Sequence, residues 1–137
     1  MYPNGFQTVV TLPTVARRWE GEIRPHNFSG VATVVSKLFG IVRPQVALFG
    51  QKDFQQSALV KQLVEDLNLG VEMVVCPTVR ETDGIAMSSR NVYLSQEDRK
   101  RAVTLYKSLR AGAEAIRRGV TNGAAIQEAM VQVIKGD

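Results

Sequence analysis

A glycine, a lysine and an aspartate stand together in the run Phe49-Gly50-Gln51-Lys52-Asp53-Phe54-Gln55-Gln56. A lysine ammonium beside a glycine suits a phosphate: the cation meets the ligand's charge, and the missing side chain lets the ligand approach the backbone. Gln56 follows Lys52 by one helical turn, so its amide can serve the same pocket. A second donor set, Ser88-Ser89-Arg90, offers two hydroxyls and a guanidinium, which suit a polyphosphate. It lies in a polar stretch from Pro77 to Asn91 that is long for a connector and punctuated by Gly84. The same residues also admit plainer roles. Gly50 serves a turn, Asp53 caps a helix, Lys52 is a solvated surface charge, and 77–91 is a mobile interdomain linker. Residue types alone leave both sets of readings open.

The elements around these residues decide what they can reach. Val46-Ala47-Leu48-Phe49 reads as a buried strand, and Phe54, Ala58, Leu59, Leu63, Val64 and Leu67 read as one face of a helix. Asn68-Leu69-Gly70 closes that helix, and Val71 to Cys76 forms a second apolar strand, stopped by Pro77. An earlier helix runs from near Ser29 to about Val42, with Val31, Val34, Val35, Leu38, Phe39 and Val42 at helical spacing, and ends before Pro44. Helix, strand, helix, strand is the rhythm of a parallel sheet with covering helices, and so of an α/β fold. Ligands of such sheets bind outside the carboxyl ends of the strands. The turn at 50–53 and the stretch after Cys76 both fall there.

Upstream, Phe6 to Leu12 reads as a strand, Thr14 to Trp19 as a short helical piece and Glu20 to Phe28 as a loop. Downstream, Ser95-Gln96-Glu97-Asp98 has the form of a capping box. It opens a helix with Ala102, Leu105, Tyr106, Leu109, Ala113 and Ile116 on one face, ending near Gly119. Thr121 caps a last helix with Ile126, Ala129, Met130, Val133 and Ile134 inward. No internal repeat or low-complexity run interrupts the pattern.

Composition narrows the classes. At 137 residues, 45% hydrophobic and 22% charged, the chain suits one ordinary globular domain, or one and a half small ones. The net charge of +4 is mild and spread out. Its densest cluster, Arg99-Lys100-Arg101, follows Glu97 and Asp98 on a helix and reads as a solvated face rather than a nucleic-acid patch. The aromatics do not interleave with the basic residues, as a base-stacking surface would require. Cys76 is the one cysteine, so no internal disulfide can form, which fits a reducing, cytoplasmic compartment. His26 is the one histidine, so no two-histidine metal site can be built within the chain. No apolar run approaches the roughly 18 residues that span a bilayer, and the amino terminus lacks a signal-peptide pattern.

Three stretches in this order, Met1-Tyr2-Pro3-Asn4-Gly5-Phe6, Phe49 to Gln56, and Asp83-Gly84-Ile85-Ala86-Met87-Ser88-Ser89-Arg90-Asn91, resemble the pantoate–β-alanine ligase family. The resemblance implies an adenylate-forming nucleotidyltransferase with a Rossmann-like domain, using magnesium-bound ATP, pantoate and β-alanine, and working as a homodimer. Pantoate carboxylate would attack the α-phosphate of ATP. The β-alanine amine would then attack the acyl carbon of the pantoyl adenylate, giving pantothenate and AMP. Carried over, the family pattern sets ATP against Gly50, Gln51, Lys52 and Asp53, with the ribose at Gly50 and Asp53 and an α-phosphate oxygen at Lys52. Val79 and Met87 would line the adenine pocket. Ser88, Ser89 and Arg90 would grip the phosphates, and Gln56 would hold pantoate.

The departures from the family are equally informative. Its His-x-Gly-His motif, a glutamine that helps bind pantoate and β-alanine, and the first βα unit of its sheet have no counterpart here. Asn27 takes a histidine's place in Arg24-Pro25-His26-Asn27-Phe28, and Gln51 replaces a usual glutamate. The resemblance therefore implies the carboxyl-terminal half of such a ligase, cut short at Asp137 and inactive by itself. The expected fold is an incomplete Rossmann-like parallel sheet with flanking helices over 1–78, followed by the helical start of a smaller second domain over 79–137. A non-catalytic binding or assembly module, with the helices at 95–118 and 121–135 docked on a partner, is the alternative.

Overall fold

Val46–Gly50 (β1) and Glu72–Cys76 (β2) pair in parallel, with Val46 opposite Glu72 and Gly50 opposite Cys76. Parallel neighbours need a crossover, and Phe54–Asp66 (α3) supplies it. A computed structural model describes residues 1–136 and divides into two compact units, Met1–Pro77 and the segment from Thr78 onward. The first is an α/β unit with a two-stranded sheet. Its remaining helices are Glu20–Ile23 (α1) and Asn27–Val42 (α2).

The core of this unit is Leu12, Phe28, Ala32, Val35, Leu59, Val60 and Leu63, with Phe49 and Met73 packed against it from the sheet. One face of the sheet is thereby covered. On β1 the alternate residues Val46 and Leu48 are exposed, Leu48 at 70%. Parallel sheets are ordinarily covered on both faces.

Four expectations change here. Phe6 to Leu12 forms no strand. Its Val10 N–H donates to Thr33 Oγ1 of α2 at 3.0 Å, and Leu12 joins the core, so the segment lies along a helix instead of a sheet edge. Glu20 to Phe28 is not all loop. It holds α1, and α2 begins at Asn27, two residues before Ser29. Gly21 permits this, because a Cβ there would sit 1.7 Å from the carbonyl oxygen of Ala16. On α2 the buried positions are Phe28, Ala32, Thr33 and Val35, while Leu38 and Val42 are exposed. On α3 Leu59, Val60 and Leu63 are buried, but Phe54, Ala58 and Leu67 are not. The short helical piece near Thr14 is a 3-10 turn over Val15–Arg17.

The second unit is led by a hydrogen-bonded loop and two helices, Gln96–Arg117 (α4) and Gly123–Lys135 (α5). Ser95 caps α4, its Oγ accepting from Asp98 N at 3.0 Å. The return bond of the box comes through the hydroxyl, which donates to the Asp98 carboxylate at 2.6 Å. The cap of α5 is Asn122 rather than Thr121. Its Oδ1 accepts from both Ala124 N and Ala125 N, which a threonine one residue earlier cannot reach. The helices pack along small residues of α4. Thr104, Ser108 and Gly112 are buried, the Ser108 hydroxyl donates to Met130 O at 3.0 Å, and a Cβ at Gly112 would lie 2.7 Å from Met130 Sδ. Consequently the apolar stripe of α4 is only partly covered. Ala102 and Tyr106 are half-buried, whereas Leu105, Leu109, Ala113 and Ile116 are exposed, as is Ile134 on α5. Among the described residues no helix is long and apolar enough to cross a membrane.

Candidate functional site

The turn after β1 is built from the residues around Gly50. Gly50 has φ −80° and ψ 134°, an ordinary extended conformation, and a Cβ there would meet nothing within 4 Å. The turn therefore does not require a glycine, and open space lies beside its backbone. Gln51–Asp53 form a 3-10 turn that leads into α3. Asp53 stands at the cap position of α3, but its carboxylate accepts no capping hydrogen bond. It lies instead 3.8 Å from Lys52 Nζ. The plain reading of Asp53 as a cap thus fails, since no side-chain cap hydrogen bond takes the first N–H groups of α3. Lys52 is exposed, and this neighbour is its one ion-pair partner among the described residues.

Ser57, which the sequence did not single out, pins this turn. Its buried hydroxyl lies 3.0 Å from Gly50 O and 3.3 Å from Asp53 O. Gln55 and Gln56 divide their work. Gln55 donates to Val15 O at 2.9 Å and Arg18 O at 2.7 Å, tying the preceding loop to α3. Gln56 is half-buried one turn beyond Lys52, and its side-chain amide makes no hydrogen bond among the described residues. The structure therefore gathers Gly50, Gln51, Lys52, Asp53 and Gln56 at the carboxyl end of β1.

In the second unit the stretch before α4 is no linker. Arg80 and Ala86 bridge antiparallel, Glu81 N donates to Ile85 O (2.8 Å), and Met87 N donates to Val79 O (2.9 Å). Gly84 N returns to Glu81 O at 2.9 Å to close the turn. This pairing sets Val79 and Met87 side by side, 65% and 57% exposed. Ser88 then caps a 3-10 turn over Ser89–Tyr93, its Oγ accepting from Arg90 N at 3.2 Å. Its proton remains free to be donated. Ser89 and Arg90 are exposed, and the Arg90 guanidinium has no protein partner among the described residues.

Gly84 is needed here. Its φ is +96°, and a Cβ would lie 2.6 Å from the Tyr106 ring, itself stacked under Arg80 at 4.0 Å. Gly84→Ala is expected to destabilise the second unit by about 1–3 kcal/mol through this strained backbone. Thermal melts read the loss, and an unchanged melting temperature would refute the account.

Arg99 of α4 reaches back to this loop. Its Nη2 lies 2.5 Å from Glu81 Oε2 and 2.7 Å from Asp83 Oδ2, and its Nε donates to Asp83 Oδ2 at 2.8 Å. Asn91 Nδ2 donates to Glu81 Oε1 at 2.6 Å and to Ala86 O at 3.1 Å. The Arg99 hydrogen bond, then that of Asn91, holds the Glu81 carboxyl below the usual range. At Asp83 desolvation pushes upward, but the Ile85 N–H and Arg99 outweigh it and the carboxyl is lowered. Lowered carboxylates stabilise the fold fully above their ordinary values of 4.5 and 3.8, and that contribution is lost as pH falls through the lowered ones. Acid titration of amide exchange at Ile85 is therefore expected to show protection that is flat above those ordinary values and falls below them. A Glu81→Gln, Asp83→Asn double variant should flatten the fall, and an identical profile in the variant would dismiss the assignment.

Each half of the proposed residue set is thus assembled within its own unit. A family model described as pantoate-beta-alanine ligase matches residues 1–136. The chain is 54% identical over 134 residues to the pantothenate synthetase of Caldicellulosiruptor bescii, covering 98% of this chain and 48% of that protein. It is 52% identical over 137 residues to that of a Roseiflexus species, with 100% and 49% covered. Among solved structures, pantothenate synthetase from Thermus thermophilus superposes with a TM-score of 0.93 at 48% identity, over 99% of this chain and 49% of that one. The pantoate-beta-alanine ligase of Francisella tularensis, described as complexed with beta-gamma ATP and beta-alanine, superposes at 0.69 with 34% identity, over 96% and 49%. The chain spans about half the length of the curated relatives it matches.

Proposed function

Because this chain belongs to the pantoate–β-alanine ligase family, we propose that it forms the carboxyl-terminal half of an ATP-dependent ligase that joins pantoate and β-alanine. The observation that carries the reading is the pair of cations left available on the two segments. Lys52 meets only its neighbour Asp53, and Arg90 meets no protein group among the described residues. The Francisella relative with its nucleotide and β-alanine supports the same ligand classes.

In this reading Lys52 takes an α-phosphate oxygen, and Ser88, Ser89 and Arg90 neutralise the phosphates. Gly50, Gln51 and Asp53 face the nucleotide's ribose side, Val79 and Met87 its adenine, and Gln56 the pantoate. The pantoate carboxylate oxygen bonds to the α-phosphorus, and the bond to pyrophosphate breaks. The amine of β-alanine then bonds to the acyl carbon, AMP leaves, and the amine proton passes to solvent or a base. Neutralised phosphates and an aligned carboxylate lower the first barrier. The donors here are ammonium, guanidinium and hydroxyl groups, which suit phosphate oxygens and not a protein-held divalent cation. Magnesium accordingly arrives as part of the ATP substrate. The half-buried free thiol of Cys76 suits work in the reducing cytoplasm.

The test is pantoate-dependent pyrophosphate release from MgATP, measured on this chain alone and on the chain joined to the amino-terminal half of the Caldicellulosiruptor relative. Release by the joined protein and none by the chain alone is the expected pair of results. A folded joined protein that releases none overturns the reading. The exposed stripe of Leu105, Leu109 and Ile116 on α4 favours a second reading, an assembly surface that includes homodimerisation. Sedimentation decides it: a monomer at micromolar concentration dismisses the self-assembly form.

A further inference from the structure

Four linked polar side chains, Glu81, Asp83, Asn91 and Arg99, help hold the loop of the second unit in place, and none of them belongs to the ligand-facing set. Arg99 comes from α4, sixteen residues beyond Asp83 and eighteen beyond Glu81. It bonds both carboxylates at 2.5–2.8 Å, joining two residues of the Glu81–Gly84 turn to one helix. Asn91 continues the chain of contacts. One amide group bonds Glu81 Oε1 and Ala86 O, so the residue directly after Arg90 is fastened to the same carboxylate that Arg99 holds. Between these anchors lie Met87, Ser88, Ser89 and Arg90. Their further ties are backbone bonds and one cap: Met87 N donates to Val79 O at 2.9 Å, Asn91 N donates to Ser88 O at 3.1 Å, and Arg90 N donates to Ser88 Oγ at 3.2 Å. The segment is thus fixed at both ends, with Ser88 half-buried and Ser89 and Arg90 exposed.

We propose that Arg99, acting through Glu81 and Asn91, is a positioning residue that presets the Ser88–Arg90 segment for the triphosphate of a nucleotide. The inference rests on the functional reading above for its ligand, and on these hydrogen bonds for its mechanism. A flexible donor loop must be ordered when the ligand binds, and that ordering weakens binding. A loop ordered beforehand avoids the loss, provided its supporting contacts are themselves fixed. The half-buried guanidinium between two carboxylates is such a support, and a lysine there can reach one carboxylate well but cannot reproduce the two-pronged bond.

Two measurements on Arg99→Gln and Arg99→Lys test it, using this chain for the first and the joined protein for the second. The first is amide exchange, resolved by residue. In Arg99→Gln the amides of Ile85, Met87 and Arg90 should exchange roughly tenfold faster, with those at the α4–α5 contact unchanged. The second is steady-state kinetics with MgATP. KM for ATP should rise about tenfold in Arg99→Gln, with kcat changed less, and Arg99→Lys should recover part of the loss. Exchange that does not quicken overturns the proposal. Exchange that quickens with KM unaltered also overturns it, since the ordering then does not serve the nucleotide. If exchange quickens at the α4–α5 contact as well, Arg99→Gln has unfolded the unit, and Glu81→Gln, which keeps the guanidinium, replaces it under the same criteria. A wild-type joined protein without MgATP turnover removes the functional reading and this inference together. Wild-type turnover with an unaffected variant removes the inference alone.

Discussion

Lys52→Ala in the joined protein is expected to lower kcat for pantoate-dependent pyrophosphate release by about 10²–10³, the usual cost of losing one charge-stabilising donor at a reacting centre. The same change should leave the melting temperature of this chain almost unmoved. The Lys52 side chain is 41% exposed, and its one ion-pair partner among the described residues, Asp53, is itself exposed and stands 3.8 Å away. Pairs of that kind contribute little to folding. The contrast between a large kinetic effect and an absent structural one is what distinguishes a phosphate ligand from a surface lysine. Turnover at the wild-type rate would return Lys52 to the surface role. A fall in kcat accompanied by a comparable loss of stability would do so as well.

Leu59→Ala should be the most damaging single truncation in the first unit. Leu59 is fully buried among Leu12, Phe28, Ala32, Val35, Val60 and Leu63, where α2, α3 and the 6–12 segment meet. Removing the side chain loses its transfer free energy and leaves a cavity, together about 2–5 kcal/mol. That is a large share of the ~5–15 kcal/mol that holds an ordinary domain folded. Urea unfolding followed by circular dichroism gives the number. A loss below about 1 kcal/mol would mean that the site collapses freely and that the core is not centred on α3. The consequence would reach the candidate site, because Ser57, two residues earlier on the same helix, ties α3 to Gly50 and Asp53.

The two experiments separate the roles of adjoining parts of α3 and its entrance. The turn carries charge that the fold does not need. The helix behind it carries apolar bulk that the chemistry does not touch. Gly50 belongs with the first group, since neither its backbone angles nor its surroundings within the chain demand a glycine.

Much of this was legible from the chain itself. The apolar runs at Val46–Phe49 and Val71–Cys76, the helix between them and the helical spacing from Val31 to Val42 all mark local preferences, and each became the element expected. Ser95 was a cap because its partner Asp98 is three residues away. The donor-rich segments stood out because their chemistry is written in their side chains. Tertiary structure decided the rest, and always where the partner is distant in sequence. Phe6 to Leu12 alternates like a strand, but Thr33 and the core beside α2 take it as an extended strap. α4 shows an apolar stripe, yet α5 settles on Thr104, Ser108 and Gly112, where small side chains let the helices approach and Ser108 finds Met130 O. The loop from Val79 to Asn91 has the composition of a linker and is ordered by an arginine on a later helix. Periodicity and capping act over one or two turns, so sequence can specify them alone. Which face is buried, and which loop is held, depends on surfaces that meet only after the chain has folded.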